Sequence, residues 1–153
     1  MGNVNTLKVA IDMIPKTSYR KNLRYMVREA IWDTIRKQRY QKSEYKCDKC
    51  GGRSKELHCH EVWEYDDCDE IQTLIELNSV CQMCHHIIHY GQSLILIKEG
   101  KLSENELIQH FVRVNNCTEE FFHQHVWEAK RMWSFRSLIQ WQIDFGKYEK
   151  YID

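Results

Sequence analysis

The chain opens on an alternation. Leu7, Val9, Ile11 and Met13 interleave with Lys8, Ala10 and Asp12, the period of a strand with one buried face, and Pro15 closes it. From Asn22 to Gln41 the period becomes helical. Leu23, Met26, Val27, Ala30, Ile31 and Ile35 share a side, and Arg20, Lys21, Arg24, Arg28, Arg36, Lys37 and Arg39 occupy the others, predicting one long basic amphipathic helix. In the middle, Leu57–Trp63 reads as a strand and Cys84–His89 as the start of a short helix. A further helix is expected near Ile71, capped by Asp69 or a neighbour. Ser103-Glu104-Asn105-Glu106 is a capping box for a helix through Val114, and Thr118 caps another carrying Phe122, Val126, Ala129 and Trp133. Ile139, Trp141, Ile143 and Phe145 then alternate with polar residues, a closing strand that can pair with the first.

These elements amount to one α+β domain over 1–153. A basic strand–helix arm (1–46) precedes a cysteine- and histidine-rich centre (47–92), and a helical and strand extension (93–153) follows. With 153 residues, 42% of them apolar, the chain is long enough for a core of its own. Its longest uncharged apolar run, Ser93–Ile97, is too short to cross a bilayer, and no charged-then-apolar leader opens it, so a cytoplasmic protein without membrane partners is expected. Met1–Thr6 fits the loose myristoylation pattern, which many unmodified termini also fit.

Lys+Arg and Asp+Glu balance at 22 each, but the balance is a cancellation. Residues 1–56 carry 14 basic and 6 acidic side chains, 57–97 none and 7, and 98–153 carry 8 and 9. A basic first third suits a polyanion. The acidic run Glu64, Asp66, Asp67, Asp69, Glu70 is either a solvated loop, a source of acceptors for histidine N–H groups, or a contact surface for a protein partner.

The centre carries the chemistry. Cys47-Asp48-Lys49-Cys50-Gly51-Gly52 and Cys81-Gln82-Met83-Cys84 are two C-x-x-C knuckles, the donor set and spacing of a structural Zn2+ site. Seven cysteines cannot all pair, which argues against disulfides; Cys59, Cys68 and Cys117 are left as free thiols. Five of the eight histidines lie at 58, 60, 85, 86 and 89. His85 and His89, at i and i+4, can chelate one ion together, and a strand histidine would complete a three-imidazole set with open positions, the pattern of a catalytic ion. The competing reading places one or two of these histidines on the zinc, giving Cys2His2 or Cys3His.

These residues resemble the HNH nucleases, in particular bacterial and phage members with a Cys-His-Glu-Val/Ile-Trp-x-Tyr-Asp-Asp string, present here as Cys59 through Asp67. Gln72-Thr73-Leu74 and the C-x-x-C-H-x-x-x-H-x-Gly run from Cys81 to Gly91 extend the likeness, and Val114-Asn115, Trp133, Arg136, Ser137 and Trp141 carry it on weakly. The resemblance implies a zinc-stapled ββα-metal (His-Me finger) core with flanking helices and terminal strands. It implies His60, His85 and His89 as ligands of a second divalent ion (Mg2+, Mn2+, Ni2+ or Zn2+). Glu61 falls where the family's general-base histidine sits; His58, on the same strand face as His60, is the rival base or ligand. Glu76 takes the place of the family's asparagine; either Asn78, two residues on, substitutes for it or the role is absent.

The activity so implied is metal-dependent hydrolysis of DNA phosphodiesters by an endonuclease or nickase in a prokaryotic or phage-infected cell. Arg24, Arg28, Arg36, Lys37 and Arg39 would hold phosphates, and aromatics such as Tyr19, Tyr25, Trp32 and Tyr40 would either stack unpaired bases or fill the core. The alternative is an inactive zinc-stabilised DNA- or protein-binding accessory factor of a phage or mobile element.

Overall fold

The structure is a computed structural model and describes residues 7–153; the Met1–Thr6 myristoylation pattern lies outside them. It is a mixed α+β arrangement around a three-stranded sheet ordered β1-β2-β3. β1 (Leu57–Asp66) and β2 (Ile71–Cys81) form an antiparallel hairpin, and β3 (Gln142–Asp144) joins β2 in parallel. The remaining elements are α1 (Leu23–Met26), α2 (Glu29–Lys42), α3 (Gln82–Ile88), α4 (Tyr90–Lys98), α5 (Glu104–Asn115) and α6 (Glu119–Arg136). No described helix is long and apolar enough to cross a membrane.

Two apolar clusters sit on opposite faces of the sheet. Trp63, Leu74 and Leu77 pack with Leu23, Trp32, Ile35 and Phe145 on the α2 side. Val80 packs with Cys84, Ile87 and Ile88 of α3 and with Leu107, Phe111 and Phe122 of α5 and α6 on the other. A bulge makes the first cluster possible. Val62 pairs with Glu76 but Trp63 with Leu74, so Ile75 is left over and exposed, and Leu74 and Leu77 reach one face despite their odd spacing.

Four expectations are corrected. The Leu7–Met13 segment buries Val9 and Ile11, yet it bends at Lys8 and Val9 and joins no sheet. Its backbone is satisfied by helices instead: Lys8 and Val9 N–H donate to Asn115 Oδ1, Asn115 Nδ2 donates to the Val9 carbonyl, Ile11 N–H donates to His125 Nε2, and Asp12 N–H donates to the Ile88 carbonyl. The closing strand therefore pairs with β2 rather than with this segment.

The long helix expected over 22–41 is broken at Val27 and Arg28, which run extended between α1 and α2. Leu23 and Trp32 are nine positions apart, about 180° on a continuous helix, yet both enter the same core. Only a break allows that. Finally, no helix begins near Ile71; β2 does, and Asp66 Oδ1 closes the preceding turn by accepting from Cys68 and Asp69 N–H.

Candidate metal centres

The first knuckle is a tight hairpin. Cys47 N–H donates to the Gly52 carbonyl, Gly51 N–H donates to the Cys47 carbonyl, and Gly51 turns the chain with φ +76°, a conformation that side chains disfavour. Lys49 and Cys50 N–H then point at Cys47 Sγ at 3.4 and 3.5 Å. The second knuckle is the start of a helix, where Cys81 caps α3 by accepting from Cys84 N–H.

All four sulfurs lie within 4.8 Å of one another, with Cys50 and Cys81 Sγ 3.8 Å apart. Four thiolates at the usual zinc bond length would stand about 3.8 Å from each other. The donor set and its spacing suit one metal ion and are consistent with structural zinc. Cys47 is held far below the usual thiol range by sulfhydryl donors from Cys81 and Cys84, while hydrogen bonding to Cys47 pushes Cys81 up to about 11 and Cys84 higher still. Four thiols this close cannot all ionise alone, and a cation removes the conflict.

His110 on α5 was not singled out by its sequence context, and it belongs to this centre. Its Nδ1 lies 3.0 Å from Arg113 Nη2, and arginine only donates, so Nε2 carries the proton and donates to Cys84 Sγ at 3.2 Å. No spacing rule links positions 84 and 110; the contact exists because α5 packs on α3.

The second cluster lies beside the first on the same helix. β1 supplies His60, α3 supplies His85, and His89 follows where α3 ends, placing one ring nitrogen of each within 4.8 Å of the others. Cys84, Ile87 and Ile88 turn to the core from the opposite side of α3. Burial holds His60 down at about 3, His85 at about 2 and His89 at about 4, with neighbouring histidines adding to the effect. At neutral pH all three are uncharged and present lone pairs. The geometry thus keeps the two ligand sets apart, with four sulfurs in one and three imidazoles in the other.

The ring of His58, two residues before His60, lies tilted against the His85 ring with centroids 4.8 Å apart. Asn78 pairs with His60 across the hairpin. Glu61 occupies the other strand face. Its carboxylate accepts from Leu23 N–H at 2.6 Å and Arg24 N–H at 3.3 Å, anchoring α1, and burial pushes it up to about 7.

Open space flanks the histidines. A cleft of about 560 Å³ is bounded by Arg24, Arg36, Cys59, His58 and His85, and an adjoining one of about 490 Å³ by Arg24, Tyr25, His60, Glu61 and His89. Of the five expected phosphate-holding cations, Arg24 and Arg36 reach these clefts, the latter while paired with Asp33. Arg39 does not; it donates to the Leu77 carbonyl and pairs with Asp48, joining α2 to the hairpin and the first knuckle. Arg28 pairs with Asp153 at the surface, and Lys37 lines neither cleft.

The acidic residues 64–70 run to the far tip of the hairpin, from about 14 Å along β1 from His60 at Glu64 to about 20 Å at Asp66. There Asp67 pairs with Arg136. The run is thereby corrected as a source of acceptors for the histidines.

No family model matches the chain, and no curated protein or solved structure matches it either.

Proposed function

We propose that the chain is a metal-dependent DNA endonuclease or nickase of the HNH type, with β1, β2 and α3 as its ββα-metal unit. One observation carries the reading: three imidazoles from a hairpin strand and the helix that follows it converge beside a cleft bordered by Arg24 and Arg36, separate from the four-cysteine cluster. Cys47, Cys50, Cys81 and Cys84 hold structural zinc and fix the start of α3, so that His85 and His89 face His60.

A divalent ion on His60, His85 and His89 would supply charge stabilisation for the phosphorane and the leaving 3′-oxygen. Arg24 and Arg36 hold the strand by its phosphates. His58 is the better general base. Its ring lies on the strand face of His60 and 4.8 Å from the His85 ring, whereas Glu61, though it lines the cleft of His60, His85 and His89, has each carboxylate oxygen accepting a backbone N–H at the start of α1.

That placement of Glu61 also favours the second reading, a zinc-stabilised DNA-binding accessory factor without turnover. Nicking of supercoiled plasmid with Mg2+, Mn2+, Ni2+ or Zn2+ decides between them. The nuclease reading expects conversion to open circle with at least one ion and a loss of about 100-fold or more in His60→Ala. Salt-sensitive DNA binding with no cleavage under any ion would leave the accessory role.

A further inference from the structure

Adjoining the 490 Å³ cleft, and sharing Tyr25 and His89 with it, lies a third cavity, about 670 Å³, between the Ser18–Tyr25 segment, α4 and α6, with Trp63 and Gln72 of the sheet in its wall. Four aromatics line it, Tyr19, Tyr25, Trp63 and Trp133, with three cations, Arg20, Lys21 and Lys130. No carboxylate lines it among the described residues, in a chain whose acidic and basic side chains are equal in number. Tyr19 and Tyr25 are 56% and 64% exposed, so core packing does not account for them. Arg20 between them holds φ +63°, a left-handed backbone that costs a non-glycine residue energy and turns the segment.

Trp133 is fixed by donating Nε1–H to the Ile14 carbonyl at 2.9 Å. Gln72 gives its carbonyl oxygen to Ser18 Oγ at 2.6 Å, leaving its amino group to offer a ligand. The cavity is of the size that encloses a small ligand. Flat aromatic faces together with cations suit a base and its phosphates. A closed B-form duplex offers phosphates but no free base faces.

We infer that this cavity seats an unpaired nucleotide of a DNA strand, one step along from the phosphate at the histidine cluster, so that the preferred substrate is single-stranded DNA or a duplex with an unpaired segment. The inference rests on the nuclease reading for its scissile phosphate, but the binding it requires stands without turnover. Tyr19 and Tyr25 stack on the base, and Arg20, Lys21 and Lys130 hold the flanking phosphates. His89 links the two sites because it belongs to both.

The test is fluorescence anisotropy of a labelled 16-nucleotide single strand and of the matching duplex, with the whole chain at fixed salt in the absence of cleavage-supporting ions. The single strand should bind about 10-fold or more tighter than the duplex. Combining Tyr19→Ala with Tyr25→Ala should cut single-strand affinity by about 10-fold or more, with an unchanged far-UV spectrum and melting temperature. Equal or tighter duplex binding overturns the inference, as does single-strand affinity that survives the double substitution in a folded protein. Plasmid nicking is scored separately. Nicking without strand preference removes this inference and keeps the nuclease, while strand-selective binding without cleavage removes the nuclease and keeps the binding site.

Discussion

At the scale of single residues, Asp12 makes a pH-dependent claim. Burial pushes its carboxyl up to about 6 from 3.8, against the pull of Arg136. A raised carboxyl favours the folded state while protonated, so this contribution is complete below pH 3.8 and is lost as pH rises through 6. Asp12→Asn should therefore stabilise the fold by about 1 kcal/mol more at pH 8 than at pH 5. Urea unfolding at the two pH values measures it, and an equal effect at both would contradict the burial of the carboxyl. Which residues could ligate was legible in the sequence, because C-x-x-C and i, i+4 histidines constrain their own geometry. What each neighbour does was less so. Strand alternation already sends Glu61 to the face opposite the candidate ligand His60, but that it anchors α1 there shows only in the fold. His110 reaches Cys84 only through the packing of two helices.

At the scale of elements, periodicity told which side chains are buried better than it told what they pair with. Val9 and Ile11 are inside as the alternation requires, but a strand pattern does not specify its hydrogen-bond partners, and here Asn115 supplies three of them. Asn115→Ala should cost about 2–3 kcal/mol in urea unfolding, since it strands the backbone groups of Lys8 and Val9. A cost below about 0.5 kcal/mol would mean that the segment is not held this way. The α1–α2 break was hidden for a related reason. Helical spacing across Asn22–Gln41 is compatible with one helix until the core is known to need both Leu23 and Trp32. Two capping signals mark real helix starts, with Ser103 accepting from Glu106 N–H and Thr118 from Phe121 N–H, whereas Asp69 caps no helix because a strand begins at Ile71.

At the scale of the whole molecule, the cancelled charge becomes a layout. The basic first third brings Arg24 and Arg36 to the clefts beside the histidines and Arg20 and Lys21 to the third cavity, while the acidic tip is held at the other end of the hairpin by Arg136. The layout depends on α3 serving two proposed metal centres at once, with Cys84 turned to one and His85 to the other. The two proposed centres are separate and differently held. Metal analysis of the purified chain before and after mild chelation, in wild type and in His85→Ala, tests this most directly. The account predicts one tightly held zinc in both proteins and a second, chelator-labile ion in wild type alone. A single ion per chain in wild type, unchanged by His85→Ala, would contradict it.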